Sequence, residues 1–160
     1  MGVNFTFKNT SDGERFFKEL EELRKLEVKV GYQSDMKPEA KDGRKQVANY
    51  AEIALYNDLG TVHSPSRPFL RNSVDLHQEE IRAFGREAAG ELVAGGTARD
   101  ILAKAGAFLV DLVQTEIEDG DYEKNNDTTI QRKGSSKPLV DTGIMKNSIR
   151  SIVREKGGSN

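Results

Sequence analysis

The apolar residues at the start of the chain change their spacing twice, from that of a strand to that of a helix and back. Alternation of apolar and polar residues over residues 3–8 predicts a half-buried strand. Helical spacing over residues 12–26 predicts an amphipathic helix, and Ser11 and Glu14 match a capping box at its start. The two-residue period returns over residues 28–32, so we expect a second strand there.

Helical spacing dominates the middle of the chain. A helix that begins near Val47 is predicted to end at Gly60, because glycine readily adopts the left-handed conformation that follows many helices. Apolar residues then recur at three- and four-residue steps from Leu70 to Leu92. This spacing predicts one long helix, and Pro68 is well placed to open it because the first turn does not need its missing N–H group.

The last third of the chain is predicted to contain another helix and a closing strand. Gly95 and Gly96 interrupt the helical spacing, and Thr97 with Asp100 matches the cap of a new helix. After a polar stretch, a short helical turn is expected at residues 144–145 and a final strand at residues 149–153.

These elements predict a single α+β domain over residues 1–160, in which a small, mainly antiparallel sheet is packed by long amphipathic helices. Residues 34–45 and 119–137 are polar and rich in turn-forming residues, so we expect two long flexible polar loops. We also expect a frayed end over residues 156–160.

The composition narrows the classes of protein that the chain can represent. It contains no cysteine, which excludes disulfide bonds and cysteine-based metal sites and fits folding in a reducing cytoplasm. No stretch approaches the roughly 20 apolar residues that a membrane-spanning helix needs. Residues 1–8 have neither a charged leader nor an apolar run, so we expect no signal peptide.

The residues that most often carry enzyme chemistry are sparse. His63 falls in a proline-containing loop and His77 lies on an apolar stripe, and neither has the partners of a metal site. Asp141-Thr142-Gly143 matches the short signature of aspartic proteases, but that chemistry needs two carboxylates that share a proton. The alternative interpretation is that Asp141 or Thr142 caps a helix and Gly143 permits a tight entry. We therefore expect no catalytic, cofactor-binding or metal-binding residues.

Three segments of the chain, in this order, resemble one group of viral proteins. YAEIALYNDLGT at residues 50–61 is followed by SPSRPFLR at residues 64–71, and LVDTGIMKNSI occupies residues 139–149. Together with the predicted strand before them, they are similar to the head–tail connector, neck and tail-completion proteins of tailed bacteriophages. Those proteins often carry a helix with an acidic or Asn-rich end, then Gly-Thr, an Arg-Pro-Phe-Leu-Arg block and, later, Asp-Thr-Gly-x-Leu-x-x-Ser-Ile. This chain departs from the last pattern, with Ile144 and Met145 at the position of the leucine.

The resemblance implies a non-enzymatic virion-assembly protein, whether a head–tail connector, a neck protein, a tail terminator or a tail-completion protein. Its implied partners are further copies of itself in a homo-oligomeric ring, and portal, connector or tail-tube proteins. DNA would pass through the lumen of the ring, and no membrane is involved. A ring requires two different, complementary surfaces on each subunit. The expected location is the virion, after synthesis in the cytoplasm of the host bacterium.

The resemblance also selects the residues expected to serve assembly or structure. In this interpretation Gly60 closes a helix, Phe69 is buried at the start of the next one, and the prolines stiffen the connection between them. Arg67 is left with two alternatives, an intramolecular pair or a subunit contact. The full set is Gly60, Thr61, Arg67, Pro68, Phe69, Leu70, Arg71, Asp141, Thr142, Gly143 and Ser148.

The distribution of charge supports an alternative function. The net charge is −2, but residues 131–160 carry seven Lys and Arg against Asp141 and Glu155, a net +5, which leaves −7 for residues 1–130. A basic segment of this kind can bind nucleic acid or an acidic protein surface, or it can simply be solvated. The alternative to a ring component is therefore a nucleic-acid-binding accessory protein that uses the basic C-terminal segment.

Overall fold

The chain folds as helices packed on a two-stranded antiparallel sheet, which confirms the predicted α+β class. The computed structural model describes residues 10–32, 48–125, 127–133, 138–139 and 143–157. In chain order the elements are α1 (Ser11–Lys25), β1 (Leu26–Tyr32), α2 (Tyr50–Leu59), α3 (Phe69–Asp75), α4 (Gln78–Val93), α5 (Ala98–Asp119), α6 (Asp127–Lys133), α7 (Ile144–Asn147) and β2 (Ile149–Glu155).

The sheet pairs the two strands whose alternation was recognised in the sequence. β1 and β2 run antiparallel, from Leu26 opposite Glu155 to Tyr32 opposite Ile149. The pairing continues past β2, because the N–H of Lys156 donates to the carbonyl of Lys25 at 2.7 Å, so the predicted fraying does not begin at residue 156. The strand predicted over residues 3–8 and the loop predicted over residues 34–45 lie outside the described residues.

Helix α5 lies across one face of this sheet and is the centre of the molecule. Thr97 caps it as predicted, since its hydroxyl accepts a hydrogen bond from the N–H of Asp100. Gly106 allows the close approach, because a Cβ at this position would lie 2.6 Å from the Ser151 Cβ and 3.0 Å from the Val28 Cγ2. The main core forms around the C-terminal half of this helix, from Ala54, Phe69, Val113, Ile117, Leu139 and Ile149.

The prediction of one continuous helix from Leu70 to Leu92 is wrong. The structure divides it into α3 and α4, with Leu76 and His77 between them. The side-chain amide of Gln78 donates to the carbonyl of Val74 at 2.9 Å. In a continuous helix, the backbone N–H of Gln78 would donate to this carbonyl instead. The two helices bury different side chains, Phe69 and Ser73 from α3 and Leu92 from α4. The break is therefore imposed by packing, since neither glycine nor proline occurs at it.

The polar loop predicted over residues 119–137 is only partly correct. Helix α5 does end at Asp119, and residues 120–125 are irregular. Residues 127–133, however, form the short helix α6. Its sequence, DTTIQRK, has a favourable Asp in the first turn but a single apolar residue, so periodicity could not reveal it.

Truncating Phe69 should destabilise the fold strongly, because its side chain is fully buried in the main core. We expect Phe69→Ala to lower the free energy of unfolding by about 3–5 kcal/mol, which corresponds to a loss of roughly 6–20 °C in melting temperature for a domain of this size. Thermal unfolding followed by circular dichroism measures this. Phe17→Ala is the matched control, since Phe17 is exposed on α1. Equal melting temperatures for the two variants would contradict the described core.

Candidate assembly surface

Helix α2 has well-defined ends at both termini. At the start, the Asn49 side chain accepts from the Glu52 N–H at 2.8 Å, and the Glu52 carboxylate accepts from the Asn49 N–H at 2.9 Å, which is a complete capping box. At the end, Gly60 closes the helix as predicted, but with a φ of 78° and a ψ of 173° it is extended at ψ and does not adopt the expected left-handed helical conformation. A Cβ at Gly60 would lie 2.7 Å from the Ser66 backbone nitrogen, so the turn after the helix requires glycine.

The turn after Gly60 is closed by its own backbone. Thr61 and Ser64 exchange two backbone hydrogen bonds, at 2.8 and 3.2 Å, and the Thr61 hydroxyl accepts from the N–H of His63. Val62 is left at the tip of this turn with 94% of its surface exposed. The Ser66 hydroxyl then donates to the carbonyl of Asp58 at 2.7 Å, which draws the chain back against α2.

Arg67 is buried and makes an intramolecular contact, the first of the two alternatives that the sequence offered. Its Nε and Nη2 donate to the carbonyl oxygen of Glu123 at 3.0 and 2.9 Å, and Nη2 also reaches the Asn125 Oδ1 at 3.3 Å. The side chain is buried, and burial lowers the pKa of the guanidinium, against the opposing effect of the Glu123 charge. Of the two alternatives, the intramolecular contact is the one observed.

Two further contacts hold the same corner, and the sequence did not indicate either of them. The Asp58 Oδ1 accepts from the N–H of Leu70 at 3.0 Å and so serves the first turn of α3, where the N-cap residue Pro68 makes no side-chain hydrogen bond. The Tyr122 hydroxyl donates to the buried carboxylate of Glu116. Burial, reinforced by this bond, raises the pKa of Tyr122 well above its usual range.

The three segments that carry the family resemblance meet in the structure. Ala54 and Phe69 come from the first two blocks and Leu139 and Ile149 from the last, and all four pack in the core around α5. The resemblance pattern therefore corresponds to one packing unit. Within the pattern, Arg67, Phe69, Ser148 and Ile149 are buried and serve packing, whereas Thr61 and Arg71 are exposed.

The remaining predicted residues are distributed over this unit. Leu70 is half-buried and Arg71 is exposed. Ser148 is buried, and its hydroxyl donates to the carbonyl of Ile144 at 2.6 Å. Gly143 begins α7 with a φ of 76°, which agrees with the predicted tight entry. Asp141 and Thr142, predicted as alternative helix caps, lie outside the described residues.

The outward side of α2 carries three exposed apolar residues beside the exposed Glu52. Tyr50 and Ala54 are buried on its inner side, whereas Leu55, Tyr56 and Leu59 are each more than half exposed on the other. We call Leu55, Tyr56, Leu59 and the neighbouring Val62 the α2 face. A helix that is apolar on both sides is normally covered on both sides, so this surface is the strongest candidate for a contact with another molecule.

Other kinds of site have little support in the part of the chain that the structure describes. No group of three or more His, Asp or Glu residues is placed to hold a metal ion among these residues. His77 contacts Glu80 at 3.4 Å on an exposed helix start, and His63 is exposed. None of the described helices is both long and apolar enough to cross a membrane.

Comparisons with known proteins give no match from which a function could be assigned. No family model matches the chain, and no curated protein or solved structure matches it significantly. A functional assignment therefore depends on the α2 face, the corner that holds it and the resemblance of short segments.

Replacing Arg67 should weaken the corner between α2, α3 and residues 121–125. A lysine keeps the charge but cannot reproduce the two-pronged contact of the guanidinium, so we expect Arg67→Lys to lower the free energy of unfolding by about 1–3 kcal/mol. Arg71→Lys is the matched control and should change it by less than about 0.5 kcal/mol, because Arg71 is exposed. Urea denaturation gives both values, and faster amide exchange at residues 121–125 should accompany the first. Equal stability of the two variants would argue against the structural role of Arg67.

Proposed function

We propose that this chain is a structural virion-assembly protein of a tailed bacteriophage, part of the neck or tail-completion ring that joins head to tail. The observation that carries the proposal is the α2 face, an apolar surface presented by the helix that also contains the first segment of the family resemblance. The proposed role is structural rather than catalytic.

The α2 face exposes apolar side chains to water, which is unfavourable. A bound partner would cover them, so the face favours a binding role. Leu55, Tyr56 and Leu59 lie within two turns of one helix, so they form one surface rather than scattered exposed residues. Covering apolar side chains contributes about 25 cal/mol per Å² to an association. Tyrosine is among the residues enriched in protein interfaces. The face therefore suits a lasting contact with a protein.

The surroundings of the α2 face suit a scaffold rather than an adaptable binding loop. The capping box fixes one end of α2, and Gly60 with the Thr61–Ser64 turn fixes the other. Arg67 lies in the connection between α2 and α3 and donates hydrogen bonds to the Glu123 carbonyl and the Asn125 side chain. A surface that is already ordered loses less conformational entropy on binding, which is an advantage for a subunit that must assemble in one geometry.

The proposed partners are further copies of this chain and the portal, connector or tail-tube proteins on either side, with DNA in the lumen. The alternative, a nucleic-acid-binding accessory protein, has less support. Two of the described cations in the basic C-terminal segment already contact carboxylates, Lys146 with Glu118 and Arg154 with Glu27. Such pairing reduces the positive charge that the segment offers to phosphates.

A charge placed on the α2 face should block assembly without unfolding the subunit. We expect Leu59→Asp to change the free energy of unfolding by less than about 1 kcal/mol, because position 59 is exposed. Its self-association, measured by light scattering and electron microscopy of the purified protein, should be lost. In a phage whose own copy is replaced by the variant, lysates should contain separate heads and tails.

Leu76→Asp is the control for this experiment, since Leu76 is 67% exposed, close to the 63% of Leu59, but lies between α3 and α4. It should assemble normally. Normal assembly and complete virions from Leu59→Asp would contradict the proposed function.

A further inference from the structure

The sheet has a second face that α5 does not cover. The contact at Gly106 places Val28 and Ser151 on the side of α5. Successive side chains of a strand point to opposite sides, so the residues between them point away from the helix. The register places Lys29 opposite Ile152 on that far side, with Arg150 opposite Gly31.

This far side combines an exposed apolar residue with positive charge. Ile152 is 45% exposed, and Lys29 and Arg150 beside it are exposed as well. We call Lys29, Arg150 and Ile152 the ribbon face. At its end, the Arg154 Nε donates to the Glu27 carboxylate at 2.8 Å. The far side as a whole thus has three cations and one carboxylate, a net charge of +2.

The α2 face has the opposite electrostatic character. Helix α2 contains Glu52 and Asp58 and no basic residue. The contact between Arg67 and the Glu123 carbonyl brings residues 121–124 to the corner between α2 and α3, and there the exposed Asp121 and Glu123 outweigh the exposed Lys124. The α2 face therefore lies on a helix with a net charge of −2, and the exposed Ile152 of the ribbon face lies on a side of the sheet with a net charge of +2.

We propose that the α2 face of one subunit docks on the ribbon face of a second copy of the same chain. The proposal rests on the proposed function and specifies which two surfaces meet. Contact between two α2 faces would bring two acidic helices together, whereas contact between an α2 face and a ribbon face pairs opposite charges. Because the two surfaces differ, each subunit uses both, and the contact propagates from copy to copy; it gives a ring where the rotation between subunits closes and an open filament where it does not.

The absence of native cysteine allows a direct test by disulfide cross-linking. Leu59→Cys and Ile152→Cys are prepared as separate full-length proteins with tags of different mass, mixed at high concentration and oxidised. We expect the mixed 59–152 product to dominate over both symmetric products. Leu76→Cys mixed with Ile152→Cys is the matched control and should give about tenfold less mixed product, as expected if the proposed contact is worth about 1.4 kcal/mol or more.

The outcomes separate this docking from the proposed function. A dominant 59–59 product would show a symmetric contact and overturn the docking. A 59–152 yield no higher than that of the control would also overturn it. If Leu59→Asp abolishes self-association in either of these cases, the ring proposal survives and only the docking is wrong. If Leu59→Asp assembles normally as well, both proposals are wrong.

Charge reversal tests the electrostatic part of the contact. Arg150→Glu on the Ile152→Cys protein should lower the cross-linking yield several-fold, and Glu123→Lys on the Leu59→Cys protein should restore much of it. Both positions are exposed, and the melting temperature of each variant checks its fold. If Arg150→Glu leaves cross-linking unchanged and instead abolishes salt-sensitive binding to a DNA duplex, the ribbon face is a nucleic-acid surface and the docking is overturned.

Discussion

The packing of Val113 and Ile117 against segments from distant parts of the chain is the interaction on which the rest of the structure depends. Ile117 is almost completely buried, and the core around it takes residues from α2, α3 and β2. None of these elements is large enough to bury an apolar side on its own. α3 and α7 are short, and a two-stranded ribbon is marginally stable by itself. The C-terminal half of α5 supplies the surface that makes each of them stable.

The polar contacts around this core explain how an apolar surface can remain on the outside. Arg67 holds residues 120–125 against the α2–α3 corner through the Glu123 carbonyl, and Tyr122 holds them against α5 through the Glu116 carboxylate. Buried polar groups are costly unless they are paired, so this segment has a strong reason to stay in place. With the corner fixed, α2 cannot rotate to bury Leu55 and Leu59 without exposing Tyr50 and Ala54. The α2 face is thus maintained by the inner side of the same helix.

The sequence predicted those features that depend on neighbouring residues. The Thr97 cap, the turn at Gly60, the two strands and the buried Phe69 all follow from local spacing or from the conformational preference of one residue. The break at Leu76 could not be predicted, because it arises from packing on α5 and not from a helix-breaking residue. The partner of Arg67 was equally inaccessible, since it is a backbone carbonyl 56 residues away and any residue type could supply it. The burial of Glu116 beside Tyr122 was equally inaccessible, because no spacing in the sequence distinguishes this carboxylate from those on exposed helix faces.

The antiparallel pairing of β1 with β2 also constrains the order of events during synthesis. Tyr32 pairs with Ile149, so the two strands cannot begin to pair until Ile149 has left the ribosome, and contacts between residues so far apart in sequence form slowly. Helix α2, in contrast, lies in the first half of the chain and has local caps at both ends. A nascent chain therefore carries its apolar helix long before it carries the ribbon face. Under the proposed docking, two incomplete chains on one polysome lack the ribbon face, so their association would wait until β2 has been synthesised.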